Sequence, residues 1–317
     1  MSITVVAYNS DHCLRQCLSS IRESVREGFA ELIVVDNASP DQSARLVVAE
    51  FPEAKLLRSK TNLGFAGGCN LSWPLVRGRY WLLLNPDVVV PVGGVERLVG
   101  WMDAHPELGV ASPELVDQAD NPACAGRRFP SLFRTVFEMS RLHLLLSRER
   151  RAELFLGSYW RNGEDHLDVD FVPGAAMIVR RQAVEVAGLL SESVPIYGED
   201  TEWCWRIRRA GWRIGLCGAL RFHHDEGQSA IRTWGELERN GRMWRGIYAS
   251  CAKMHGTAYC RLLMVANALA FAIEACHPGR RPEDRAQSRK HLRVHMAFLR
   301  GQGVADTPHQ LEKPAVR

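Results

Sequence analysis

Across the first half of the chain, short runs of Val, Ile and Leu alternate with segments whose apolar residues recur every three or four positions. Ile3 to Ala7, Leu32 to Val35, Lys55 to Leu57 and Tyr80 to Leu84 have the composition of buried strands. Between them, Asp11 to Glu27, Asp41 to Phe51 and Phe65 to Val76 carry helical spacing, and Ser39-Pro40-Asp41 is the chemistry of a helix start. This βαβ series predicts an α/β domain on a Rossmann-like, mostly parallel central sheet flanked by helices.

After Pro113 the pattern loosens. Leu132 to Leu156 reads as an arginine-rich helical excursion, Phe171 to Val179 as a strand, and Thr201 to Ala210 as a helix closed by Gly211. Trp212 to Leu216 reads as a further strand leading into FHHDEGQS, and beyond Ile231 only helical patterns remain. The expected organisation is one domain over residues 1–230 with a helical C-terminal extension over 231–317.

Composition narrows the class. A chain of 317 residues with 46% hydrophobic content buries a substantial core, and a formal net charge of +4 gives no general case for nucleic acid. Nine scattered cysteines without CxxC spacing suit a reduced, cytoplasmic chain. The opening MSITVVAYNS has no basic start, so no signal peptide is expected. The longest apolar candidate, Leu262 to Ile273, is interrupted by Asn267, so no membrane span is expected either.

Four places carry candidate chemistry. Asp36 follows a strand in VVDNAS, where a carboxylate either accepts a hydrogen bond from a ligand or caps a turn. TNLGFAGGCN, Thr61 to Asn70, puts small residues at a strand-to-helix turn, which suits backbone approach to a diphosphate or close helix packing. The GxGxxG fingerprint is missing after the first strand, which disfavours dinucleotide oxidoreduction. Asp87 ends the apolar strand in LLLNPDVVV, as a turn residue or as an oxygen ligand for a hard cation, with His223 and His224 as ambiguous imidazole partners. Glu199 and Asp200 open a helix in YGEDTEWCWR. They either complement the helix dipole or form a base, with Trp203 at i+3 as an apolar wall.

Taken in order, ITVVAYNS, VVDNAS, NLGFAGGCN, LLLNPD, FVPGAAMIVRR, YGEDTEWCWRIRRAGW and HHDEGQS resemble glycosyltransferase family 2, in its rhamnosyltransferase-like branch. The resemblance covers about residues 1–230 and implies a GT-A fold and an inverting, metal-dependent hexosyltransferase. It implies that Asp200 is the catalytic base with Glu199 its supporting neighbour. Ala7, Asn9, Asp36, Asn62, Gly64, Phe65, Asn85, Asp87, Arg206 and Arg209 would then face the nucleotide or donor. Pro173, Gly174, Ala175 and Trp203 would line the acceptor and sugar pocket, and Asp87 with His224 would hold Mg²⁺ or Mn²⁺. The family's DxD is reduced here to Asn85-Pro86-Asp87, which leaves coordination dependent on Asp87.

The implied donor is dTDP-L-rhamnose or another hexose on dTDP, UDP or GDP. The implied acceptor is a saccharide or polyprenyl-diphosphate-linked sugar used in cell-surface polysaccharide assembly. A competing reading is a non-catalytic sugar-nucleotide-binding scaffold on the same fold. Two basic stretches bear on location. Arg141 to Arg151 brackets Leu142 and Leu144 to Leu146, and Arg280 to Arg300 carries seven Lys or Arg against two acids. Such stretches either lie peripherally on the inner membrane face or are solvated helices. Homodimerisation through the extension is left open.

Overall fold

A computed structural model describes residues 1–124, 126–155, 163–194, 196–224 and 236–301. Strands β1 (Ser2–Ala7), β2 (Glu31–Asp36), β3 (Lys55–Arg58) and β4 (Tyr80–Leu84) form the parallel half of one nine-stranded sheet, in the spatial order β3-β2-β1-β4. Every residue of β1 and β4 is buried, as expected of strands covered on both faces.

The period-two alternation of these strands sorts their side chains into two cores. Ile3, Val5, Leu32, Val34, Leu82 and Leu84 meet Leu14, Leu18 and Ile21 of helix α1 (Asp11–Arg26) on one face. Val6, Ile33, Val35, Trp81 and Leu83 face the opposite core, together with helix α3 (Gly64–Ser72). Helix α2 (Ser43–Glu50) covers the first face through Leu46 and Val47. Thr4, polar and buried on the second face, is satisfied by the Ser72 hydroxyl at 2.8 Å and the Trp81 indole N–H at 2.8 Å.

Beyond β4 the sheet takes in antiparallel strands. The order continues β8-β6-β9-β5, where β8 (Ala176–Arg180) runs antiparallel to both β4 and β6 (Leu108–Val116). Strand β9 (Arg213–His224) lies parallel to β6, and its far end pairs with β5 (Val88–Val89). Helix α4 (Gly94–Ala104) connects β5 to β6, and β7 (Pro122–Cys124) pairs with β6 at the edge.

Three boundaries shift for physical reasons. The strand expected from Phe171 begins only at Ala176, since Pro173 brings no N–H to a ladder and residues 173–175 form a loop. The excursion expected over 132–156 breaks into α5 (Leu132–Met139), a 3₁₀ turn (Leu142–Leu145) and α6 (Arg148–Phe155), because Arg141 takes a left-handed φ of 57°. The strand expected to stop at Leu216 runs on to His224.

Helix α7 (Arg181–Ala187) follows β8, and α8 (Glu199–Arg209) brings the acidic motif to the sheet. The C-terminal helices α9 (Glu236–His255), α10 (Thr257–Cys276) and α11 (Pro282–Leu299) share a small core of Tyr248, Cys251, Cys260, Leu263, Met264 and Phe298. Contrary to the sequence expectation, α10 is long and apolar enough to cross a membrane. Asn267 does not interrupt it, because its amide turns inward and donates to the Tyr248 hydroxyl at 3.1 Å. Asp225 to Ser229, the tail of the HHDEGQS motif, lies outside the described residues.

Candidate active site

The acidic motif is held at the N-terminus of α8. Tyr197 has a φ of 73°, and Gly198 sits where any Cβ would overlap the Gly246 carbonyl of α9, so only glycine permits this approach. Asp200 is partly exposed, and its carboxylate accepts three hydrogen bonds. These come from Gly174 N–H at 3.1 Å, Thr201 N–H at 2.6 Å and the Thr201 hydroxyl at 3.2 Å. Glu199 is buried and accepts the Gly198 N–H at 2.9 Å, with the backbone of Tyr197 and its own N–H also donating to it.

Burial pushes both carboxyls up, Glu199 to about 8, with the charge of Asp200 adding to the effect. For Asp200 the bonds from Gly174 and Thr201 oppose the rise, as does the positive charge of Arg127. The pair therefore shares its titration, with the partly exposed Asp200, favoured by Arg127, as the anion and the buried Glu199 as the proton holder.

Gly174 joins this cluster to the start of α3. A Cβ placed on it would stand 3.1 Å from the Phe65 ring and 3.7 Å from Asp200 Cβ, so Phe65, Gly174 and Asp200 meet at one point. Asn85 N–H donates to the Ala175 carbonyl at 2.8 Å and ties the Pro173 to Ala175 loop to the end of β4.

At the ends of β1 and β2, neighbouring parallel strands leave the crevice in which open α/β sheets bind ligands. Asn37 organises it, with its N–H on the Ala7 carbonyl at 2.9 Å. Its side-chain oxygen accepts Leu63 N–H at 2.8 Å, and its amide donates to Asn62 Oδ1 and the Gly64 carbonyl, both at 3.0 Å. Asn62 Oδ1 also accepts Gly64 N–H at 2.8 Å. Asp36 is buried and accepts Ser39 N–H at 3.1 Å, while Asn9, at a φ of 53°, donates its N–H to the Ser39 hydroxyl at 3.3 Å.

Asp87 and His224 are far apart in sequence but adjacent in space, because β5 pairs Val88 with His224. His224 Nε2 lies 3.4 Å from Asp87 Oδ1. The alternation of β9 buries His224 and leaves His223 exposed. Asp87 Oδ1 and His224 Nδ1 are buried with no hydrogen-bond partner among the described residues. They border a cavity of about 400 Å³ that is also lined by Cys13, Gln16, Val89, Gln118 and His223. An orphaned carboxylate oxygen beside an imidazole fits a divalent cation that takes its other ligands from phosphate and water. No cluster of three metal-ligating side chains occurs among the described residues.

Three expected site residues point elsewhere. Trp203 is 0% exposed and packs edge-on to Trp81 at 6.0 Å, with its indole N–H on the Gly188 carbonyl at 2.7 Å. It is core, not a pocket wall, because the i+3 position of α8 faces the sheet. Arg206 pairs with Glu202 at 2.9 Å and donates to the carbonyls of Ala187 and Leu189, clamping α8 to the loop after α7. Arg209 is exposed and stacks on Trp205 at 4.9 Å. Arg127 and Gly246 carry no local sequence signal, because their roles depend on long-range packing.

The fold and site define the class. Mannosyltransferase PcManGT from Pyrobaculum calidifontis, solved with GDP-Man and Mn²⁺, aligns with a TM-score of 0.55 at 18% identity, over 96% of this chain and 84% of that one. TarS from S. aureus with UDP-GlcNAc aligns at 0.52 and 14% identity, over 95% and 92%. The architecture is thus that of the GT-A glycosyltransferases. Residues 2–185 match the sequence model of Glycosyl transferase family 2, more than half of the chain, and the protein belongs to that family. Among curated relatives, a low-salt glycan biosynthesis hexosyltransferase, Agl10 of Haloferax volcanii, is 25% identical over 71% of this chain and 67% of its own length. An N-acetylglucosaminyl-diphospho-decaprenol L-rhamnosyltransferase of Mycobacterium tuberculosis is 24% identical over 71% and 76%.

Proposed function

We propose that the protein is an inverting hexosyltransferase that moves one sugar from a nucleoside diphosphate to a saccharide or polyprenyl-diphosphate-linked acceptor in cell-surface polysaccharide assembly. L-rhamnose from dTDP is the preferred donor, on the likeness to the mycobacterial rhamnosyltransferase. The observation that carries the reading is Asp200, a partly exposed carboxylate fixed by three donors where Gly174 and Phe65 converge.

In this reading Asp200 takes the proton of an acceptor hydroxyl as that oxygen bonds to the anomeric carbon. The bond from that carbon to the diphosphate breaks on the opposite face, so configuration inverts and the nucleoside diphosphate leaves. Glu199, holding its proton, keeps a second negative charge out of the motif. Asp36, Asn37 and the Asn62 to Phe65 turn hold the nucleotide end of the donor. Asp87 and His224 would hold Mg²⁺ or Mn²⁺, which when bound offsets the charge of the diphosphate. The chain works in the cytoplasm, where nucleotide sugars are made.

The test is nucleoside diphosphate release from dTDP-, UDP- and GDP-sugars, with a GlcNAc-diphosphate-lipid acceptor and either metal, for wild type and Asp200→Asn. Release from one donor, dependent on acceptor and lost in the variant, is the expected result. Donor binding without turnover across a wide acceptor set would instead indicate a sugar-nucleotide-binding scaffold.

A further inference from the structure

Helix α10 has two unlike faces. Cys260, Leu263, Met264, Ala268 and Ala275 are buried against the neighbouring helices. Ala258, Leu262, Val265, Leu269, Ile273 and Cys276 are exposed. Their three- and four-residue spacing makes one continuous apolar stripe, about 27 Å long at 1.5 Å per residue, with the exposed Arg261 at its edge. Leu262, Leu269 and Ile273 are 57%, 53% and 57% exposed.

The apolar surface continues beyond this helix. Leu132 N–H donates to the Tyr259 hydroxyl at 2.9 Å, which fixes α5 beside the start of α10. The segment that follows exposes Phe133, Val136, Leu142, Leu144 and Leu145. Exposed cations accompany this surface: Arg141, Arg148 and Arg150 in and after the 3₁₀ turn, Arg261 on α10 itself, and Arg289, Lys290 and Arg293 on α11, the helix packed against α10. So much exposed apolar area is unusual on a monomer. A second copy seated on it would bring these cations toward each other, whereas an anionic bilayer neutralises them. The buried inner face of α10 lays the helix on a membrane instead of across it.

We propose that the outer face of α10 and the 133–145 segment together seat on an anionic phospholipid bilayer, with the apolar side chains at the acyl boundary and the arginines among the head groups. The seat deepens the acceptor reading given under Proposed function and rests on it in one respect. That respect is the acceptor, since an enzyme seated on a bilayer meets a lipid-linked acceptor in the same surface.

Flotation of the full chain with phosphatidylcholine vesicles, with and without phosphatidylglycerol, tests the seat. Wild type should float only with the anionic vesicles and should detach as salt rises. Leu262→Gln/Leu269→Gln/Ile273→Gln should lower vesicle-bound protein by at least about tenfold with an unchanged melting temperature. Arg289→Glu/Lys290→Glu/Arg293→Glu should remove the preference for phosphatidylglycerol. Wild type that stays unbound overturns the proposal, as does a glutamine variant that floats normally but turns a dimer into a monomer by sedimentation. Turnover plays no part in this readout, so a chain that floats yet transfers no sugar sinks the transferase reading and leaves the seat standing.

Discussion

The two acidic stations of the site are built on opposite plans. At the start of α8, both carboxyls are answered by the protein's own donors, Asp200 by the Gly174 N–H, the Thr201 N–H and the Thr201 hydroxyl, and Glu199 by backbone N–H groups of residues 197–199. At the end of β4, Asp87 Oδ1 and His224 Nδ1 are buried with no such partner among the described residues. A buried polar atom left unpaired costs about 1–3 kcal/mol. The first station is therefore complete in the protein itself, whereas the second is not satisfied by hydrogen bonds among the described residues. That is the division expected of a base, which must be in place beforehand, and a counter-ion site, which fills with the donor.

The largest expected effect breaks the first station. Asp200→Asn keeps the shape and its one oxygen can accept from either Gly174 or Thr201, yet it cannot take a proton. Turnover should fall by about 10²–10⁴-fold with donor affinity nearly unchanged, read by single-turnover kinetics and calorimetric titration. Full turnover in the variant would make the station merely structural.

The second station should respond differently. Asp87→Ala and His224→Ala should each raise the metal concentration for half-maximal rate by at least about tenfold. In chelator, where the orphaned atoms bring only their cost, neither variant should lower the melting temperature by removing a hydrogen bond. A melting temperature that collapses in chelator would mark the Asp87–His224 contact as a structural ion pair and erase the contrast.

How much of this was legible in the sequence follows from the range of the interactions involved. The parallel strands and α1 were readable because a continuous apolar run and a 3.6-residue period are local signals. Asp87 and the Glu199-Asp200 pair were readable because they sit at strand and helix ends, where local chemistry is explicit. The pairing of β5 with β9 that seats His224 was not, since nothing local brings residue 224 to residue 88. Trp203, Arg206 and Arg209 were misplaced for a related reason. Spacing says which residues share a helix face but not which face meets the sheet, and α8 turns Trp203 to the core and spends Arg206 on carbonyls of a loop 17 to 19 residues away. Gly246 had no signal at all, because its role is a backbone contact with Gly198.

The smallest effect is also the one that separates the two carboxyls of the first station. Burial and Asp200 raise Glu199 from 4.5 to about 8 in the folded protein. Between those values the folded chain binds more protons at this position than the unfolded chain does. Stability should therefore fall as pH rises through that window, on the order of 1 kcal/mol per pH unit. Glu199→Gln fixes the neutral form, can still accept the Gly198 N–H and should flatten the decline in denaturant midpoints measured from pH 5 to pH 8. Asp200, also raised by burial but opposed by its three donors, should contribute a weaker slope of the same sign that begins at lower pH. If the slope survives in Glu199→Gln and disappears in Asp200→Asn, the buried proton sits on Asp200. An acid that is protonated at neutral pH cannot be the base, and the assignment of roles within the pair would have to be reversed.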